Sequence, residues 1–72
     1  MNPDMVLLEY IDTFRNNLVN TPVAEAYCQY LWWTENSGVN HVTKERFETF
    51  VCKKMRKMVE TREVEVFKEM VE

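Results

Sequence analysis

Helix-breaking residues are scarce in this chain of 72, which contains only two prolines and one glycine. Pro3 and Pro22 each follow a residue whose side chain can cap a helix, Asn2 and Thr21. Proline is well tolerated at the first position of a helix, because its missing N–H has no partner there. Gly38 suits a left-handed residue after a helix end. The sequence therefore predicts an all-α, or mainly α, fold.

Hydrophobic periodicity divides the chain into three helices. The first starts near Pro3, the second runs from Pro22 to about Glu35, and Thr43 opens the third. In each segment the apolar residues recur three or four positions apart, which is the spacing of one buried helix face. The predicted core residues are Leu7, Leu8, Ile11, Phe14 and Leu18, then Val23, Ala26, Tyr27, Tyr30, Leu31 and Trp33, and finally Phe47, Phe50, Val51, Met55, Met58 and Val59.

Residues 60–72 are predicted to be a tail element of a single small domain, 1–72. Residues 63–66 alternate between acidic and apolar side chains, as in a short strand. The residues that follow break this alternation, so a short amphipathic helix restarting at Thr61 is the favoured prediction and a strand is the alternative. The apolar residues at helical spacing are Val64, Phe67, Met70 and Val71.

Composition places the chain among globular proteins. Apolar residues make up 46% and charged residues 29%, which is unlike a disordered chain. No run of about 20 apolar residues is present, so no membrane span is expected. The first apolar run lacks preceding basic residues, so we expect no signal peptide and a cytoplasmic location.

Few residues are suited to metal binding or catalysis. Cys28 and Cys52, with His41 as the only histidine, fall short of the four ligands of a structural zinc site. Both thiols are predicted to be small buried apolar groups, and His41 a solvated loop residue. The sequence has no glycine-rich phosphate loop and no set of histidine, acid and nucleophile. We therefore expect no enzyme activity, catalytic residue, metal or cofactor.

Charge is distributed unevenly along the chain. Residues 1–40 contain five acids and one base, residues 41–62 contain seven bases and three acids, and residues 63–72 contain four acids and one base. The whole chain has a formal net charge of −3. A cationic block in an acidic chain indicates either a solvated helix face or a surface that binds phosphates.

Three short helices with a basic third helix fit a helix-turn-helix bundle. In that arrangement the last helix lies in the major groove, with its first residues facing base edges. The loop at 37–42 would precede this helix, and Asn40, Lys44 and Arg46 are the candidate base readers. The candidate phosphate contacts, further along the helix, are Lys53, Lys54, Arg56 and Lys57.

The stretch 7–55 resembles the winged-helix domain at the C-terminus of phage and plasmid primase–helicases of the poxvirus type. The matching positions are Tyr27, Tyr30 and Trp33 in the second helix, Asn36 and Gly38 in the turn, and Val42, Thr43, Phe47 and Val51 in the third helix. The resemblance implies a small DNA-binding protein of a virus or mobile element. Such a protein would act in replication or regulation in the host cytoplasm, alongside a host or replication protein.

This chain departs from that family in two ways. The 72 residues do not include a helicase domain, and residues 59–72 contain neither the glycine nor the proline that the hairpin of a wing would need. The wing is therefore expected to be reduced or absent. The tail that replaces it could serve a homodimer.

Adjacent tryptophans in the second helix raise a separate possibility. Trp32 points about 100° away from Trp33 on a helical wheel. The favoured interpretation places Trp33 in the core and Trp32 half-covered by the tail, since aromatic residues at helical spacing are usually core. The functional interpretation makes Trp32, with Phe67 and Met70, a surface that binds a protein partner.

Two other classes of function stay open on sequence alone. One is a small phage-encoded inhibitor that binds a host or defence protein and uses acidic faces to mimic nucleic acid. The other is a dimeric protein-interaction module that pairs through the tail.

Overall fold

The computed structural model describes residues 2–68 and contains three helices in that range. They are α1 (Pro3–Leu18), α2 (Val23–Trp33) and α3 (Lys44–Glu60), with no strand among the described residues. The predicted fold class, a small all-α three-helix bundle, is confirmed.

Two of the predicted helix caps form. The Oδ1 atom of Asn2 accepts a hydrogen bond of 2.8 Å from the backbone N–H of Asp4 at the start of α1. The Oγ1 atom of Thr43 accepts one of 3.2 Å from the backbone N–H of Arg46 in α3. Each cap satisfies a backbone donor that has no partner inside its helix.

The ends of α2 differ from the prediction. The Thr21 hydroxyl donates to the carbonyl of Asn17 in α1, so Pro22 occupies the N-cap position without a side-chain hydrogen bond. The helix ends at Trp33, before the predicted Glu35. Gly38 has the expected left-handed backbone, with a φ of +74°, but it lies in the connection to α3 and does not cap α2.

Helix α3 packs against both α1 and α2 and runs in the same direction as α1. Residues 19–22 join α1 to α2, and the Tyr10 hydroxyl lies 3.1 Å from the carbonyl oxygen of Ala26 and 2.9 Å from Oε1 of Gln29. Asp4 in the first turn of α1 pairs with Arg46 in the first turn of α3. Arg15, in the last turn of α1, pairs with Glu63, just beyond the end of α3. The two ion pairs join corresponding ends of the helices, so α1 and α3 run in the same direction.

Three aromatic rings, one from each helix, form the centre of the core. The ring centroids of Tyr10 and Tyr30 are 5.9 Å apart, those of Tyr10 and Phe47 are 5.8 Å apart, and those of Tyr30 and Phe47 are 5.2 Å apart. These separations lie in the favourable range for aromatic pairs. The other buried apolar residues are Val6, Leu7, Ile11, Leu18, Val23, Ala26, Val42, Val51, Cys52, Met55 and Val64.

The described part of the tail is neither helix nor strand, so the favoured helix starting at Thr61 is wrong over residues 61–68. The chain turns at Arg62, which has a φ of +63°. The backbone N–H groups of Arg62 and Glu63 donate to the carbonyls of Val59 and Met58, at 3.1 and 2.8 Å. This pattern is the Schellman motif that ends many helices, and it prevents α3 from continuing.

Beyond that turn, the tail folds back onto the bundle. Val64 is buried, and the backbone N–H of Lys68 donates to the carbonyl of Val19 at 3.0 Å. Arg15 of α1 lies 3.8 Å from a carboxylate oxygen of Glu63. The tail therefore covers the junction between α1 and α2.

Candidate nucleic-acid interface

The outer face of α3 carries a narrow stripe of cations. At about 100° per residue, Arg46, Lys53 and Lys57 lie within about 40° of one another around the helix axis. All three residues are exposed. The helix rises by about 16 Å from Arg46 to Lys57. Three of the residues that the sequence singled out are thus brought together on one side of one helix.

Two adjoining grooves follow this stripe, and Lys53 lines both. The first, of about 580 Å³, is lined by Thr43, Glu45, Arg46, Thr49, Phe50 and Lys53. The second, of about 450 Å³, is lined by Lys53, Lys54, Arg56, Lys57 and Glu60. The four predicted phosphate contacts therefore share one groove.

The cations of this surface differ in their surroundings. The Nη2 atom of Arg46 lies 3.3 Å from Oδ1 of Asp4, an exposed pair of the kind that contributes less than about 1 kcal/mol. The Nζ atom of Lys54 lies 5.6 Å from the centroid of the Phe50 ring, within range of a cation–π contact. Lys53 and Lys57 pair with no carboxylate in the described part of the chain, so their charges are the most accessible.

The predicted base readers do not form one group. Lys44 is two positions before Arg46, which puts the two side chains about 160° apart around α3, and Lys44 is half-buried. Asn40 is exposed in the connection between α2 and α3. That connection spans residues 34–43, whereas a helix-turn-helix uses a turn of about three or four residues.

Phe50 is a groove residue that the sequence placed in the core. It is half-buried and packs against the core, yet it also lines the groove between Arg46 and Lys53. The position of Phe50 around the helix axis could have identified it as a groove residue from the sequence. Phe50 lies about 60° to the side of Phe47 around the helix, at the edge of the apolar stripe.

Hydrogen bonds fix the connection that leads into α3. The Thr34 hydroxyl donates to the carbonyl of Tyr30 at 2.7 Å and lies 2.7 Å from Nε2 of His41. The Tyr27 hydroxyl donates to the carbonyl of Val42 at 2.6 Å. His41 is an exposed loop residue, as predicted, but its ring also packs edge-on against Tyr30. These contacts hold the connection against α2 and position the start of α3.

Two tyrosines, Tyr10 and Tyr27, have perturbed acidities. Burial raises the pKa of Tyr10 well above its ordinary value. Burial also raises the pKa of Tyr27, with smaller contributions from the neighbouring Tyr30 and from the negative charge of Glu45. Both phenols stay protonated at neutral pH, as hydrogen-bond donors to backbone carbonyls require.

The outer face of α2 contradicts two sequence predictions. Trp32 is 72% exposed, so the tail does not half-cover it. Cys28, four positions earlier on the same face, is exposed and was predicted to be buried, whereas Cys52 is buried as predicted. Trp33 is half-buried, with its ring centroid 5.7 Å from that of Tyr10.

The three predicted partner-binding residues have different surroundings. Phe67 is half-buried and packs against the core of its own chain. Met70 lies outside the described residues. Of the three predicted partner-binding residues, Trp32 is the one that the structure describes as an exposed side chain.

Other chemistry is sparse over residues 2–68. No three His, Cys, Asp or Glu side chains in this range are grouped as metal ligands would be. Within the same range, every buried side-chain nitrogen and oxygen atom has a hydrogen-bond partner.

None of the helices in the described range has both the length and the apolar content needed to cross a bilayer.

No protein-family model, curated protein or solved structure matches this chain. The resemblance to the primase–helicase winged-helix domain therefore rests on the sequence pattern alone.

Proposed function

We propose that this protein binds nucleic acid through the outer face of α3 and has no catalytic activity of its own. The observation that supports the proposal is the alignment of Arg46, Lys53 and Lys57 along about 16 Å of one exposed helix face. Lys54 and Arg56 line the same groove and add to its positive charge. Neutralising phosphates releases counterions, which favours binding without any base contact.

The resemblance extends this proposal to a biological setting. The protein would be a DNA-binding protein of a virus or mobile element that acts in replication or regulation in the host cytoplasm. Such a role would explain why a basic helix lies on an acidic chain. The acidic remainder, which brings the net charge to −3, opposes non-specific sticking to nucleic acid. Binding should therefore depend on the α3 face and weaken steeply with salt.

The test is a salt series with labelled nucleic acid. Lys53→Ala combined with Lys57→Ala should weaken binding about tenfold or more at low salt. It should also reduce the slope of log affinity against log salt by about 1.8 for a duplex, or about 1.4 for a single strand.

Lys44→Ala is the matched control for Lys53→Ala alone, because each variant removes one cation from the same helix, on opposite sides. It should leave both affinity and salt slope nearly unchanged. An equal loss in Lys44→Ala would mean that net charge, and not the α3 face, controls binding. An absence of wild-type binding at low salt would refute the proposal.

A second candidate function is supported by the outer face of α2. Trp32 is 72% exposed, and tryptophan is enriched among the residues that anchor protein interfaces. The exposed Glu25 and Glu35 accompany it, and residues 16–43 contain no lysine or arginine. This surface fits a small phage-encoded inhibitor that presents an acidic face to a basic site on a host or defence protein.

One measurement tests the inhibitor candidate. A purified nucleic-acid-binding protein with a basic cleft can be titrated with the wild type and with Trp32→Ala. Competition with nucleic acid that depends on Trp32 would favour the inhibitor, and equal behaviour of the two chains would count against it. A homodimer through the tail would appear as concentration-dependent mass in sedimentation.

A further inference from the structure

The groove around Phe50 combines features that a phosphate-binding surface alone does not need. Its lining includes the aromatic ring of Phe50, with Arg46 and Lys53 on the same surface, and the Nζ atom of Lys54 lies 5.6 Å from the ring centroid. Thr43 and Thr49 add hydroxyl groups. An aromatic side chain among cations is the arrangement by which proteins bind unpaired nucleotides, because the ring stacks on a base while the cations hold its phosphates.

The start of α3 lacks features expected of a helix that reads a major groove. Such a helix places several first-turn side chains against base edges. Here Lys44 lies on the side of α3 opposite Arg46, and Arg46 is paired with Asp4. The connection over residues 34–43 is also longer than a helix-turn-helix turn. These features favour a ligand other than an intact duplex.

We infer that the α3 face binds single-stranded nucleic acid, with one unpaired base stacked on Phe50 and the flanking phosphates on Arg46, Lys53 and Lys54. The inference rests on the proposed function and specifies its ligand. Glu45, which also lines the groove, repels phosphates and offers a carboxylate acceptor to a base amino group.

The spacing along α3 is compatible with this arrangement. Arg46 and Lys53 are about 10 Å apart along the helix axis, and Phe50 lies between them. Lys57 follows Lys53 by about 6 Å, which is on the scale of one nucleotide step along an extended strand. The strand would thus run along α3, leaving the ring of Phe50 as the one aromatic contact in the groove.

The experiment measures binding of two labelled probes at matched salt: a 12-nucleotide single strand of mixed sequence and the corresponding 12-base-pair duplex. The wild type should bind the single strand about tenfold more tightly. Phe50→Leu should weaken single-strand binding by about five- to twentyfold and leave its salt slope unchanged, since it removes stacking and no charge. Phe50→Tyr, which keeps the ring, should bind as the wild type does.

A second measurement avoids changing the protein, because Phe50 also packs against the core. An abasic oligonucleotide of the same length and charge should bind the wild type as weakly as the normal strand binds Phe50→Leu. Equal or tighter duplex binding, or equal affinity for the abasic and normal strands, would overturn this inference while leaving the proposed function intact. If neither probe binds at low salt, the proposed function fails, and this inference fails with it.

Discussion

The outer faces of α2 and α3 rest on the same core but present opposite chemistry to solvent. On α2 the exposed side chains include Trp32, Cys28 and Glu25, with no base nearby in the sequence. On α3 they include Lys53 and Lys57. The buried stripe of each helix determines which side faces outward, whereas the outward side chains make few contacts and can vary. Each surface can therefore serve a different ligand.

The outer faces of α2 and α3 share one core, so Phe47→Ala should destabilise the fold that presents both of them. Phe47 is fully buried, and its ring lies 5.2 Å from Tyr30 and 5.8 Å from Tyr10. Loss of a buried phenylalanine costs about 3–5 kcal/mol, which is a large part of the stability of a small domain. Urea denaturation followed by circular dichroism should detect this loss. A cost below about 1 kcal/mol would contradict the assignment of Phe47 to the centre of the core.

High pH should weaken the contact between α1 and α2. Because burial raises the pKa of Tyr10 in the folded chain, the unfolded chain loses its phenolic proton first. Stability is fully present below about pH 10, the ordinary tyrosine pKa, and falls above it by roughly 1 kcal/mol per pH unit. Urea denaturation at a series of pH values should show a shallower decline in Tyr10→Phe. A parallel decline in both chains would assign the effect to other groups.

The adjacent tryptophans of α2 should differ in their contribution to stability. Trp33→Ala removes ring contacts at 5.7 Å with Tyr10 and 5.8 Å with Phe14, and we expect a loss of about 2 kcal/mol. Trp32→Ala should change stability by less than about 0.5 kcal/mol, because its side chain is mostly in water. Thermal melts of the two variants test this difference. Similar losses would mean that Trp32 is covered in solution.

Two left-handed residues should respond in opposite directions to substitution. Arg62→Gly should stabilise the chain by about 1 kcal/mol, because glycine adopts a φ of +63° without the steric penalty of a side chain. Gly38→Ala should destabilise it by about the same amount. A Cβ on Gly38 would meet nothing within 4 Å, so backbone strain is the whole expected cost. Opposite shifts in melting temperature would support both assignments, and stabilisation by Gly38→Ala would contradict the second.

Local signals in the sequence predicted the helices well. The Asn2 and Thr43 caps form as expected, since each depends on residues within three positions of itself. The apolar spacing identified most of the core, including Leu7, Ile11 and Val51. It also included Leu8, which is 44% exposed, because periodicity alone does not determine how wide the buried stripe is.

The candidate site was predicted only in part. Charge along the chain identified Lys53 and Lys57, and helical geometry was enough to put them on one face. The same geometry separates Lys44 from Arg46, so grouping them as base readers neglected the helix period. The half-buried Phe50 was missed because a residue at the edge of an apolar stripe serves both the core and the surface.

The sequence by itself determined the three helices, the N-caps of α1 and α3, and the cationic side of α3, because these depend on residues close together in the chain. The tertiary structure decided what long-range packing controls. It paired Arg46 with Asp4, left Trp32 and Cys28 in solvent, and folded the tail across the junction between α1 and α2. Such contacts join residues far apart in sequence, so they depend on how the helices pack and no local pattern encodes them.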